Sequence, residues 1–250
     1  MRRLQTPALL ALIVAALVVL TGLGTWQLAR NEWKQGLVED RDAAIAAAPL
    51  AAAEAATLDG EAIEYRRVAL EGEWDYGSAQ IVANRTRFGL RGEDVYVPLR
   101  TGDGSPALLV RRGWYPADER DRVLASLKAG APSEGLALRA SSTDSRRNED
   151  GAWTRFSLDS IAAALPYPVA PLYVIAGERV EQPPRQVPDE LPVTGYAGYR
   201  NTTPHIEYAL TWYGLAVVLA ITVAVRIRQQ RRGREAGPAG GGSTSDAPPA

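Results

Sequence analysis

The chain lacks cysteine altogether, and its 250 residues include one histidine and one methionine. Without cysteine there can be no disulfide, thiol nucleophile or iron–sulfur cluster. Copper carriers, zinc enzymes and multihaem proteins need several thiol, thioether or imidazole ligands. Because Met1 is the initiator, His205 is the one such ligand available. Only a site built on a single histidine remains possible.

Charged residues are missing from two long stretches near the ends of the chain. The first, residues 4–29, spans 26 residues, and at ~1.5 Å per residue a helix of that length extends roughly 39 Å, more than a ~30 Å hydrocarbon layer. The second, residues 208–225, has 18 uncharged residues, which reach about 27 Å as a helix. Both stretches predict transmembrane helices.

Two features of these stretches leave alternatives open. Arg2 and Arg3 before the first apolar run are also typical of a cleaved signal peptide, but no Ala-x-Ala-like site follows, so we favour an uncleaved anchor. In the second span, three alanines at four-residue spacing would let another helix approach closely, although alanine is common throughout the chain. They are Ala216, Ala220 and Ala224.

The distribution of charge predicts the orientation in the membrane. The two terminal segments, residues 1–3 and 226–250, carry seven arginines against two acidic residues, a net +5, whereas residues 4–225 carry 21 basic and 27 acidic groups, a net −6. By the positive-inside rule, both termini face the cytoplasm, or its mitochondrial equivalent the matrix, and the central segment is exported. The total charge of −1 therefore conceals two opposite charges.

The central segment has mostly strand-like patterns. Four stretches are rich in β-branched and aromatic residues and are bounded by glycine, proline or aspartate: residues 67–74, 79–85, 94–100 and 106–115. Residues 136–141 alternate as a strand with one solvated face would, and residues 171–178 also predict a strand. Residues 101–105 predict a hairpin turn, and residues 118–129 and 157–165 predict short helices. Residues 43–58 are alanine-rich and favour helix.

The expected fold is a membrane α+β protein in which two transmembrane helices flank a β-rich, mainly antiparallel exported domain with minor helices. Its parts, in chain order, are an N-terminal transmembrane helix (1–30), the exported domain (31–203), a C-terminal transmembrane helix (204–228) and a disordered cytoplasmic tail (229–250) rich in glycine, proline and serine. No serine elbow, zinc-protease motif, phosphate loop or dinucleotide fingerprint occurs. We therefore expect no enzyme activity, although a tethered hydrolase is a remote alternative.

Several short motifs lie at residues 23–30 and 33–34, at 67–68 and 72, at 92, 95 and 98–99, at 112–114 and 116, and at 205–214. In their order and spacing they resemble the Surfeit locus protein 1 family, the membrane-bound assembly factors of haem–copper cytochrome oxidase. Pro204 and Glu207 flank the histidine where the family more often has amide side chains, and Arg111 stands where it often has asparagine.

The resemblance implies help in maturing the catalytic subunit of the oxidase, with haem a bound through the matching histidine, His205. The residues are compatible with this role. The partial positive charge at the start of a helix disfavours a charged imidazole, and metal ligation needs the neutral ring. The negative charge of Glu207 has the opposite effect, because it favours the charged ring. Tyr208 and Trp212 share the helix face of His205 and would form aromatic walls, and Arg30 and Lys34 would pair with haem propionates.

The expected function is thus a membrane assembly factor that binds and presents haem a. The alternative is a scaffold that holds the oxidase subunit without touching the cofactor. The expected partners are the catalytic subunit, the haem a synthesis machinery and membrane lipid, with no nucleic acid. The short N-terminus without a transit segment favours the plasma membrane of a bacterium.

Overall fold

The computed structural model describes residues 5–102, 104–140, 143–182, 184–198 and 202–235. These residues form two units, one from the described residues up to Gly36 and those after residue 201, the other from those between Leu37 and Gly198. The helices are α1 (Gln5–Ala46), α2 (Ala52–Ala55), α3 (Gly60–Ile63), α4 (Arg120–Ser126), α5 (Leu158–Ala163) and α6 (His205–Glu235). The strands are β1 (Leu50–Ala51), β2 (Arg67–Ala69), β3 (Glu73–Trp74), β4 (Gln80–Arg87), β5 (Leu90–Arg100), β6 (Ala107–Pro116), β7 (Glu134–Arg139), β8 (Val169–Ala176), β9 (Arg179–Val180) and β10 (Tyr196–Ala197).

The two long helices, α1 and α6, are apolar and long enough to cross a membrane over Pro7–Ala46 and His205–Arg232. Both extend beyond the boundaries expected from the sequence. α1 does not end at Arg30, because the charged residues that follow end the apolar span but are good helix formers. α6 likewise continues past residue 228 through glutamine and arginine residues to Glu235. The rest of the expected disordered tail, residues 236–250, lies outside the described residues.

In the first unit, the shielded residues of α1 and α6 follow a repeat of seven. Within α6 they include His205, Ala209, Trp212, Ala216, Leu219 and Val223, and within α1 they include Ile13, Ala16, Leu20, Leu23, Gln27, Arg30 and Lys34. Steps that alternate between three and four residues are typical of helices packed in a left-handed coiled-coil manner. Of the predicted alanine stripe, Ala216 is buried but Ala220 and Ala224 are exposed, because the packed face follows this repeat and not a four-residue one.

The second unit contains an eight-stranded sheet in the order β1-β2-β7-β8-β6-β5-β3, with β4 also paired to β5. Most neighbouring strands are antiparallel, which confirms the expected fold class. The exceptions are the parallel pairs β1–β2 and β6–β8. The predicted strand over residues 67–74 is divided into β2, which pairs with β7, and β3, which pairs with β5. Gly72 lies between them with a φ of +152°, and a Cβ there would lie 2.5 Å from the Arg100 carbonyl oxygen.

Most other predicted elements of this unit are present with shifted ends. The hairpin connects β5 to β6, although Asp103 of its turn lies outside the described residues. The alanine-rich segment does not form one helix; it contains the end of α1, then β1 and α2. Local propensity is overridden there because Leu50 and Ala51 pair with Val68 and Ala69 of β2. α5 begins after Ser157, whose hydroxyl accepts a hydrogen bond from the Ser160 amide at 3.2 Å.

Apolar residues are buried on both faces of this sheet. One face packs against α2 and α3, with Leu108, Val110 and Leu172 in its core. The opposite face carries Leu109 and Tyr173, which pack with Trp153 and Ile161 near α5. Side chains alternate between the two faces along each strand.

Candidate functional site

His205 opens α6 in the first unit, directly after Pro204. Its backbone amide donates to the Thr203 carbonyl oxygen at 2.8 Å, and the residue is 7% exposed. Its ring nitrogen Nδ1 lies 2.8 Å from Oε1 of Gln27, a residue of α1. Since an amide oxygen can only accept, Nδ1 carries the proton of the neutral ring in this arrangement. The lone pair is therefore on Nε2.

The Nε2 atom of His205 is buried and has no hydrogen-bond partner among the described residues. A metal-binding histidine commonly donates one ring N–H to an oxygen of the surrounding protein and offers the other nitrogen to the metal. Gln27 and the unpartnered Nε2 together fit that arrangement. Because Nε2 is also covered by protein atoms, a ligand reaches it only after a neighbouring side chain moves.

Two cations expected at this site are close to the histidine ring. The charges of Arg30 and Lys34 both act on His205. The Arg30 guanidinium lies 4.0 Å from the ring centroid of Trp33, and Lys34 Nζ donates to the Thr203 hydroxyl at 3.0 Å. Within the described part of the chain, neither cation forms an ion pair with a carboxylate. Both are thus available to an anionic group near His205.

The two aromatic residues expected beside His205 have different positions. Trp212 is half-buried on the packed face of α6, together with His205 and Ala209. Tyr208 lies off that face and is 51% exposed. The structure therefore places Trp212, Arg30 and Lys34 on the packed faces of the two helices, as it does His205, and leaves Tyr208 exposed.

Gln27 is the site residue that the sequence reasoning did not single out. It belongs to the motif at residues 23–30, and it lies three residues before Arg30, on the same face of α1. An amide side chain within an uncharged span is itself a signal, because polar groups in membrane helices usually face a neighbouring helix and bond to it.

Comparison with known proteins connects these features to one family. Residues 14–217 match the model of the SURF1 family. A SURF1-like protein of Monosiga brevicollis is 27% identical over 236 residues, which cover 86% of this chain and 85% of the relative. A SURF1-like protein of Rickettsia conorii is 25% identical, covering 87% and 90%.

A yeast relative has a name that describes a function. The cytochrome oxidase assembly protein SHY1 of Saccharomyces cerevisiae is 30% identical over 111 residues, which cover 44% of this chain and 28% of the yeast protein. The matched segment is thus shorter than in the two SURF1-like proteins.

Proposed function

From the premise that this chain belongs to the SURF1 family, we propose that it assists the assembly of cytochrome oxidase. The relative named for that role supports the proposal. The proposed role is that of an assembly factor and not of an enzyme. Its partner is the catalytic subunit of the oxidase, with the haem a synthesis machinery as the source of cofactor and membrane lipid around the two spans.

We also propose that the chain binds haem a through His205. The observation that carries this proposal is the unpartnered Nε2 beside a fixed Nδ1. Bound haem a would supply an iron atom that can take an imidazole as a ligand. His205 would provide that ligand, Arg30 and Lys34 would pair with the propionates, and Trp212 would contact the macrocycle. Tyr208 would contribute only at the exposed edge.

The proposed location is the plasma membrane of a bacterium, with two spans. The lengths of the apolar stretches in α1 and α6 support two membrane spans. The excess of arginine in the two terminal segments supports cytoplasmic termini and an exported sheet domain. A bacterial relative of similar length is consistent with this location.

Haem binding is tested by the absorption spectrum of the full chain, purified in detergent after co-expression with haem a synthesis enzymes. We expect the unaltered chain to carry haem a and His205→Ala to lose about 90% or more of it, since a ligating bond is removed. Ile206→Ala is the matched control, because Ile206 is the next residue and is 51% exposed. Equal haem content in the His205 variant would refute the ligand assignment and leave the assembly role standing.

The second candidate is a scaffold that binds the oxidase subunit without cofactor, and the closed position of Nε2 favours it. The two candidates differ in a strain that makes no haem a. If the chain presents haem, capture of the catalytic subunit by the tagged chain falls when haem a is absent. Undiminished capture in that strain favours the scaffold.

A further inference from the structure

An open cleft of about 600 Å³ lies on the second unit, within the range of about 300–1,000 Å³ that small-molecule sites occupy. Its aliphatic floor includes Leu136 and Leu138 of β7 and Ile175 of β8. These residues alternate with Ala137 and Val174, which belong to the core on the other face of the sheet. The floor is therefore an apolar part of the sheet that no helix of this unit covers completely.

Three arginines line the same cleft: Arg41, Arg87 and Arg111. The Asp94 carboxylate already has two arginine partners, since it accepts from Arg111 Nη2 at 2.6 Å and from Arg85 Nε at 2.9 Å. Asp94 is 0% exposed. In the described part of the chain, Arg87 forms no ion pair. Arg87 thus adds a positive charge to the cleft that no ion pair among the described residues neutralises.

The electrostatics of Arg87 favour an anion beside its side chain. Burial lowers the pKa of this guanidinium, the positive charge of Arg111 lowers it further, and Asp94 offsets only part of the effect. The Nε atom of Arg111 is buried without a hydrogen-bond partner among the described residues. An anion between Arg87 and Arg111 would neutralise this repulsion.

Tyr65 completes the rim of the cleft in an unusual backbone conformation. Its φ is +65°, a left-handed value that a bulky residue adopts at an energetic cost. The backbone amide donates to the Ala137 carbonyl oxygen at 2.9 Å, and the ring lies 4.5 Å from the guanidinium carbon of Arg41. Backbone strain of this kind is found often at ligand-binding sites.

We propose that this cleft binds an amphipathic anion, whose phosphate or carboxylate group contacts Arg87 and Arg111 while its hydrocarbon portion rests on Leu136, Leu138 and Ile175. Arginine forms two parallel bonds with either anionic group, and the aliphatic floor selects ligands with an apolar portion. The site is independent of His205, so it goes beyond the role in haem binding.

The probe is octyl phosphate, measured by calorimetry on the full chain in phosphatidylcholine nanodiscs, with empty nanodiscs as the blank. We expect octyl phosphate to bind at least tenfold more tightly than either inorganic phosphate or octyl glucoside. Arg87→Gln should weaken the binding of octyl phosphate about tenfold through loss of a charged hydrogen bond. Arg122→Gln, a change on α4 at a side chain that is 68% exposed, should have no effect. Arg111 is left intact because it neutralises buried Asp94.

A second variant tests the floor of the cleft. Leu138→Asn should weaken the binding of octyl phosphate and leave any binding of inorganic phosphate unchanged. Equal affinities for octyl phosphate and inorganic phosphate would overturn the amphipathic assignment, and binding that is indifferent to Arg87→Gln would overturn the site.

The same titration distinguishes the two sources of such a ligand. If the site takes the headgroup of a membrane lipid, phosphatidylglycerol in the nanodisc competes and lowers the apparent affinity of octyl phosphate. If the site takes a diffusible anion, the apparent affinity is the same in both nanodiscs. Haem content and His205 variants play no part in this measurement, so its failure is distinguishable from failure of the proposed function.

Discussion

The imidazole of His205 is oriented by one hydrogen bond that it donates to Gln27 of α1, and that bond decides which ring nitrogen is left to bind the proposed haem. The distance from Nδ1 to Gln27 Oε1 is 2.8 Å, and this acceptor keeps the proton on Nδ1. Without this acceptor the ring could rotate or change tautomer, and Nε2 would lose its defined position. The amide also satisfies a polar group that would otherwise be buried alone.

Gln27→Leu tests this positioning role. We expect the variant to bind haem a roughly ten- to 100-fold more weakly, the usual effect of removing the partner of a metal-binding histidine. Gln27→Glu retains an acceptor oxygen and should restore most of the binding. The measurement is haem retention of the purified chain during dilution. Retention of haem by the leucine variant at the unaltered level would show that Gln27 does not orient the ring.

The Asp75 carboxylate in the second unit gives a prediction that depends on pH. Tyr167 donates to it at 2.7 Å and the Ser78 amide at 3.1 Å. The Tyr167 bond, followed by the Ser78 contacts, holds the pKa of Asp75 below its usual value despite partial burial. A lowered carboxyl pKa stabilises the fold at neutral pH, and this contribution disappears as the pH falls through the folded-state value.

Tyr167→Phe should therefore destabilise the sheet domain by about 1 kcal/mol at pH 7. The difference from the unaltered chain should shrink as the pH falls below about 4, where the carboxyl group becomes protonated first in the unfolded chain and then, at its lowered pKa, in the folded chain. Thermal unfolding of the full chain at a series of pH values measures this difference. A difference that stays constant down to pH 3 would contradict the proposed linkage.

The sequence predicts some of these residues and not others. His205 is identifiable because it is the only imidazole in the chain. Gln27, Arg87 and Arg111 are not identifiable in the same way, because their roles depend on contacts between distant segments. Charge and polarity indicate that such side chains need partners, but not which partners the fold supplies.

At the scale of elements, α1 and α6 approach closely where α1 has a glycine. A Cβ at Gly24 would lie 2.8 Å from Tyr213 Cζ, and the Tyr213 hydroxyl lies 3.0 Å from that of Thr25. The contacts 27–205 and 24–213 run in opposite directions along the two helices, so the helices are antiparallel. Small residues allow such close approach in membranes, where apolar burial adds little.

Gly24→Val should loosen this helix pair, because the added methyl groups displace the Tyr213 ring and break its bond to Thr25. We expect a cost of about 1–3 kcal/mol, typical of overpacking. Gly22→Val is the matched control, since a Cβ there meets nothing within 4 Å. Thermal unfolding in detergent compares the two variants. Equal midpoints would show that the contact at Gly24 does not contribute.

The element pattern was predictable where it depends on local sequence. Alternating β-branched residues placed β5, β6 and β8 within a few residues of their observed ends. The parallel pairing of β6 with β8 was not predictable, because β7 and α5 lie between them along the chain. The end of α1 was also missed, since a charge after an apolar run ends the span but need not end the helix.

At the scale of the whole molecule, the net charge of −1 is the sum of a positive charge on the two termini and a negative charge on the central segment. The absence of cysteine makes the proposed topology unusually easy to test. Glu149 of the sheet domain and Gln230 of α6 are both exposed, and cysteine at either position would be the only thiol in the chain.

Glu149→Cys should react with a membrane-impermeant maleimide in intact spheroplasts, because we expect that residue outside the cytoplasm. Gln230→Cys should react only after lysis. Denatured protein serves as the control for reactivity of each thiol. The reverse pattern would invert the topology, and labelling of both positions in intact spheroplasts would refute cytoplasmic termini.

The most direct test of the account is the haem a content of assembled cytochrome oxidase in a strain that lacks this gene and carries variants at equal expression. The unaltered chain and Ile206→Ala should restore the oxidase spectrum. His205→Ala should restore roughly a tenth of it or less, the size of effect expected when a metal ligand is lost. Full restoration by His205→Ala would contradict assembly through haem at this histidine.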